Sequence, residues 1–199
     1  TDADFMEGLI EGMKIGLDKP GRDFFIREVN GDDNLTDGGY AEMAQRTGCD
    51  IAVIKSAVDS LPPEQVVWKP APRGVWFKNI PYLWPINAPE SFLLNISKMK
   101  AHGMGMTLCA KNLQGSIAAP YQQHCTAFNR NMAIDEADIQ PDARQIILDN
   151  YNRHKAVIPR WDRPGQDGGI WQETWATRCL DNNSVTQPAL HIIEAIYGH

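Results

Sequence analysis

No two cysteines stand at Cys-x-x-Cys spacing: Cys49, Cys109, Cys125 and Cys179 are scattered along the chain. A zinc ribbon or an iron–sulfur cluster held by these residues alone is therefore not expected, and no motif specifies a cofactor. No run of about 18 apolar residues occurs, so no helix is expected to cross a membrane. Positive charge is also scarce: 19 Lys and Arg stand against 25 Asp and Glu, for a net charge of −6. That balance, with a pI near 5.3, excludes a broad nucleic-acid or anionic-membrane surface. The chain opens without an initiator Met or a signal peptide. A removed leader would leave the same start, and the expected compartment leans to periplasmic or extracellular. Cys49 and Cys109 sit among apolar residues, as buried thiols do, while export would allow a Cys109–Cys125 disulfide.

What is present suits one folded domain. The 199 residues are 43% apolar, enough to bury a core. Phe5, Met6, Leu9, Ile10, Met13 and Leu17 recur at helical spacing after a capping Thr1 or Asp2. Gly8, Gly12 and Gly16 form a stripe on that helix, which predicts a closely packed neighbour. Residues 24–29 and 50–54 are predicted strands, with a short helix between them capped by Thr36 or Asp37. Strand, helix and strand at this spacing predict a mostly parallel sheet. The polar loop Asn30-Gly31-Asp32-Asp33-Asn34 lacks the acidic spacing of a calcium loop and is expected to be an ordinary turn.

Residues 61–89 interleave seven prolines with Trp68, Trp76, Phe77, Tyr82 and Trp84. Prolines at that density preclude a helix and predict an extended arm, with Val75–Lys78 as an edge strand and the aromatics as a satellite core. Pro141 and Asp142 begin a helix whose end carries His154, a partner for the helix dipole. Residues 156–188 hold Trp161, Trp171 and Trp175 among Arg160, Arg163 and several glycines, a Trp/Gly-rich insertion with a helix around Ile170–Leu180. A final strand from Leu190 puts His191 and Glu194 on opposite faces. In a parallel sheet, Glu194 or His199 then approaches the segment described next.

Cations, glycines and an imidazole crowd together only at Lys98-Met99-Lys100-Ala101-His102-Gly103-Met104-Gly105-Met106-Thr107-Leu108-Cys109-Ala110-Lys111-Asn112-Leu113-Gln114-Gly115. The apolar run Ser91–Ser97 before it predicts a buried strand, and the residues from Met106 to Leu113 predict a helix ended by Gly115. The lysines, His102 and glycines are then expected at a strand-to-helix turn, where free N–H groups and the helix dipole favour an anion. A solvated rim of lysines is the structural alternative. A metal site of His102, Cys109, His124 and Cys125 can be drawn, but the histidines match no compact ligand spacing, and no metal is expected.

The same segment resembles the bacterial and archaeal domain of unknown function family 362. The family's most distinctive stretch runs approximately Lys-Leu-Lys-Thr-His-Gly-Leu-Thr-Gly-Val-Thr-Leu-Ala-Leu-Lys-Asn-Leu-Phe-Gly. Lys98, Lys100, His102, Gly103, Thr107, Leu108, Lys111, Asn112, Leu113 and Gly115 match it, while Ala101 and the shorter Met104-Gly105-Met106 depart. Thr1–Phe5 and Pro188–Gly198 resemble a helix start and a later strand of the family. The resemblance implies an α/β domain over 1–199, truncated at both ends relative to the family, with a further strand and a Lys-Pro-Asn turn before it. It also implies a link to ferredoxin-type modules, though no settled activity.

The fold expectation is therefore α/β, a mostly parallel sheet flanked by helices with Pro/Trp-rich irregular arms. The expected function is a small-anion site for carboxylate or phosphate. Lys98, Lys100, Gly103, Gly105, Thr107, Lys111 and Asn112 bind, and His102 is the candidate catalytic proton carrier. The alternative is a non-catalytic, exported interaction protein in an assembly, with a protein partner or a second copy on its Trp/Pro-rich arms.

Overall fold

The computed structural model of the chain describes residues 2–29, 32–102, 105–122, 136–159 and 168–195, with backbone alone at 32–34, 102 and 105–107. Gly103, His124, Cys125, Arg160, Trp161, Arg163 and His199, each singled out above, lie outside the described residues. Helix α1, Ala3–Leu17, begins where the Asp2 side chain accepts from the Asp4 N–H at 2.9 Å and ends at Asp18 in the left-handed region, φ 52°. Its Gly8, Gly12 and Gly16 face open space: a Cβ added at any of them would meet nothing within 4 Å. Among the described residues nothing supplies the packing expected for that stripe. The close glycine approach occurs instead at Gly21, where a Cβ would stand 1.9 Å from the Thr47 carbonyl oxygen.

Strands β1, Phe25–Glu28, and β2, Asp50–Val53, pair in parallel, as the strand, helix and strand order predicts. Between them lie α2, Asp32–Asp37, and α3, Tyr40–Thr47, the latter closed by Gly48 at φ 76°. Helix α2 begins inside the expected polar turn, earlier than the Thr36 or Asp37 cap. Strands β3, Val66–Pro70, and β4, Asn79–Leu83, form an antiparallel pair in the Pro/aromatic segment. Val75–Lys78 is the turn joining them and not the edge strand expected there. Strand β5, Leu94–Lys98, is followed by a hairpin of β6, Lys100–His102, and β7, Gly105–Thr107, and by the four-residue helix α4, Cys109–Asn112. Helices α5, Ala143–Lys155, and α6, Gly169–Val185, precede strand β8, Leu190–Glu194, which pairs in parallel with β5. The fold is α/β, with small sheets flanked by helices.

Two apolar clusters organise it. The larger gathers Trp76, Phe77, Ile80 and Tyr82 from the Pro/aromatic segment with Ile117 and Ile147. These aromatics are the main core and not a satellite, because α5 and α6 cover them. Each large side chain so buried contributes roughly 1.5–3 kcal/mol. Arg178 of α6 lies 4.2 Å from the Trp76 ring centroid, and Asp181 accepts from the N–H groups of Val75, Trp76 and Phe77 at 2.9, 2.7 and 2.9 Å. His154 at the end of α5 meets Glu173 of α6, so it joins two helices in addition to facing its own helix terminus. The smaller cluster holds Met6 and Ile10 of α1, Met43 of α3 and Cys49, with Ile26 of β1 and Ile96 of β5 against it.

Candidate functional site

A cleft of about 1320 Å³ opens between the β1–β2 pair and the β5–β8 pair. Lys98, Lys100, Asn112 and Ser116 line one part of it, and Glu28 and Tyr40 are also on its wall. Glu28, Lys98 and Glu194 are the last residues of β1, β5 and β8. Open α/β sheets bind ligands beyond the carboxyl ends of their strands. Ile26 and Ile96 share one apolar cluster, so by two-residue alternation Glu28 and Lys98 lie on that same face. Glu194 stands in register with Lys98 across the parallel pair and joins them. It is 2% exposed, and its carboxylate oxygens have no hydrogen-bond partner among the described residues.

The electrostatics are mixed. Burial pushes the Tyr40 phenol up to about 12, and the carboxylates of Asp2, Glu194 and Glu28 push the same way. Two lysines and three carboxylates thus share the neighbourhood. The carboxylates were not legible as site residues except Glu194, whose position at the end of a predicted strand was the signal.

The turn after β5 differs from the expectation. The lysines and His102 do not stand at a strand-to-helix turn, because Lys100–His102 and Gly105–Thr107 pair as a hairpin and α4 starts only at Cys109. A four-residue helix supplies no useful macrodipole, so any anion here relies on side chains and hairpin amides.

Beneath the lysines, α4 is tied to β5 by polar groups. Asn112 Nδ2 donates to Asn95 Oδ1 and to the Ile96 carbonyl, each at 2.9 Å. Asn95 Nδ2 donates to the Cys109 carbonyl at 2.8 Å and meets His191 Nδ1 at 3.1 Å. The Cys109 thiol lies 3.2 Å from the Ser97 hydroxyl, and Cys125, its partner in the expected disulfide, lies outside the described residues. Asn95 and Ser97, two polar residues alternating within an apolar strand, were the legible trace of this network. Lys98, Lys100 and Asn112 are brought to one cleft, whereas the Lys111 ammonium lies 5.9 Å from the Trp175 ring centroid, toward α6. Gly103 and the side chains of His102 and Thr107 lie outside the described residues. No group of three or more His, Cys, Asp or Glu among the described residues is arranged to hold a metal ion.

The fold is that of an α/β protein whose cleft has polar residues at the carboxyl ends of β1 and β5. Over residues 1–199 the chain matches the family model described as Domain of unknown function (DUF362), and it belongs to that family. No curated protein and no solved structure is significantly similar to it.

Proposed function

We propose that the chain binds a small carboxylate or phosphate at the end of β5. Lys98 and Lys100 hold it, Asn112 lies beside them, and the hairpin residues Gly103, Gly105 and Thr107 frame it. His102 then moves a proton to or from the bound anion. The observation that supports this reading is that Lys98 and Lys100 both line one cleft in a protein of net charge −6. Steering by overall charge would repel such a ligand, so recognition rests on local charge-assisted hydrogen bonds, each contributing roughly 1.5–3 kcal/mol.

Isothermal titration with phosphate and with citrate tests it. Lys98→Ala and Lys100→Ala should each weaken binding about tenfold or more, equivalent to about 1.4 kcal/mol. Lys111→Ala, on the Trp175 side of α4, should bind as the wild type does. His102→Gln should retain binding while any turnover of the bound anion is lost. Equal affinity in the wild type and both lysine variants, or no binding of either anion by the folded protein, removes the proposal.

A further inference from the structure

A simple anion at Lys98 and Lys100 leaves one buried charge of the neighbourhood unused. Glu194 ends β8, is 2% exposed, and neither of its carboxylate oxygens has a hydrogen-bond partner among the described residues. Burial strips away the water that solvates a carboxylate, and native proteins rarely accept that loss without a donor in its place. A carboxylate kept in such a position is suited to a donor that arrives with a ligand.

The strand register fixes where that carboxylate stands. Lys98 pairs with Glu194 and Ile96 with Ile192, and partners in a parallel ladder put their side chains on one face of the sheet. Ile96 packs against the cluster of α1 and α3, so Lys98 and Glu194 are on the side of those helices. Lys98 and Tyr40 of α3 both line the cleft, and the Glu194 carboxylate acts on the Tyr40 phenol through its charge. Glu194 therefore stands just behind the wall that Lys98 and Tyr40 present to the cleft. Its register neighbour is a lysine, yet no hydrogen bond joins the two. An ammonium facing the cleft and a buried carboxylate thus lie side by side, each open to a group of opposite sign.

We propose that the ligand of this cleft is a small zwitterion, a carboxylate or phosphate that carries a primary ammonium a few bonds away, with its anion on Lys98 and Lys100 and its ammonium on Glu194. The assignment rests on the anion site proposed above and narrows its ligand to amino acids and amino phosphates. Lys98 has a flexible stem, so it turns to the anion and opens the way to the carboxylate beside it. A primary ammonium brings three donors and no acceptor, which suits two carboxylate oxygens that accept from nothing else described. A divalent cation would need about six oxygen ligands. No group of three or more His, Cys, Asp or Glu among the described residues is arranged to begin such a shell. Overall charge favours the same choice, because a net charge of −6 repels a bare anion more than one that carries its own ammonium.

Two pairs of probes that differ only in the ammonium test it by isothermal titration near neutral pH: β-alanine against propionate, and O-phosphoethanolamine against ethyl phosphate. In a pair that binds, the ammonium member should bind the wild type about tenfold or more tightly than its partner. Glu194→Gln keeps the shape of the side chain and removes a buried charge, so its melting temperature should equal or exceed that of the wild type. In that variant the two members of a pair should bind alike. Lys98→Ala should weaken both members by the same factor, which separates the anion contact from the ammonium contact. Binding of propionate or ethyl phosphate with no gain from the ammonium overturns this proposal and leaves the anion site standing, and the wild type alone decides that outcome. An ammonium advantage that survives Glu194→Gln also overturns it. Manganese binding that Glu194→Gln abolishes would make the carboxylate a metal ligand and overturn it too. Failure of all four probes to bind the folded protein removes the anion site itself, and this assignment with it.

Discussion

At the scale of single residues, Asp181 is the most heavily engaged carboxylate of the larger core. It is 3% exposed and accepts three backbone N–H groups from the turn that carries Trp76 and Phe77. Replacing it with Ala leaves those donors in the interior with no acceptor, at roughly 1–3 kcal/mol for each unsatisfied group. Asp181→Ala should therefore lose about 3 kcal/mol or more in urea unfolding, and a loss below about 1 kcal/mol would mean that the turn finds other acceptors. Burial raises the Asp181 pKa above its ordinary value, outweighing the three N–H donors and Arg178, which lower it. A carboxyl with a raised folded pKa contributes stability that is full below its unfolded pKa, about 3.9, and is lost as pH rises through the folded value. Wild type should thus lose its advantage over Asp181→Asn as pH climbs above about 4, and an advantage that grows with pH would contradict that sign.

At the scale of elements, hydrophobic period and caps carried most of the information. Helices α1 and α5 and strands β1, β2, β5 and β8 follow from spacing, because each buries one face or a short apolar run. The hairpin of β6 and β7 did not, since three-residue strands of Lys, Ala, His, Gly, Met and Thr show no alternation to detect. Nor did the role of the Pro/aromatic segment: the prolines announce extended chain, yet its cover is Arg178 and Asp181, about a hundred positions later. Of the candidate site, Lys98, Lys100 and Asn112 were legible because they cluster in sequence. Glu28 and Tyr40 were not, because only the meeting of strand ends assembles them. The glycine stripe of α1 was legible in sequence but wrongly partnered, since glycine reports a missing side chain and not the reason for it. Gly8→Ala and Gly12→Ala meet open space, so each should raise helix and protein stability by up to about 1 kcal/mol, seen as a higher melting temperature. A lower melting temperature for either would place a close neighbour against the stripe.

At the scale of the whole molecule, the smaller apolar cluster draws Ile26 of β1 and Ile96 of β5 from both walls of the cleft, while Val29, directly after β1, enters the larger one. Arg27 Nε donates to the Trp84 carbonyl at 2.9 Å, and the Glu28 carboxylate lies 3.3 Å from where a Gly115 Cβ would sit. Among the described residues the larger cluster buries fifteen side chains and is covered by α5 and α6, whereas the smaller buries five. Regions with fewer buried apolar contacts and open strand edges unfold locally at lower cost than the core does. Native-state hydrogen exchange should therefore find opening free energies for α1, β1 and β2 at least about 1 kcal/mol below those of β4 and α6. The ordering also follows from the sheets, because among the described residues β1 and β5 each hold a strand partner on one edge only. Equal opening energies across both clusters would mean that Val29, the Phe25–Trp84 ring contact and the Arg27–Trp84 hydrogen bond couple them into one cooperative unit. A lower value for β4 and α6 would mean that the buried polar groups of α6, Arg178 and Asp181 among them, cost more than the aromatic core around Trp76 returns.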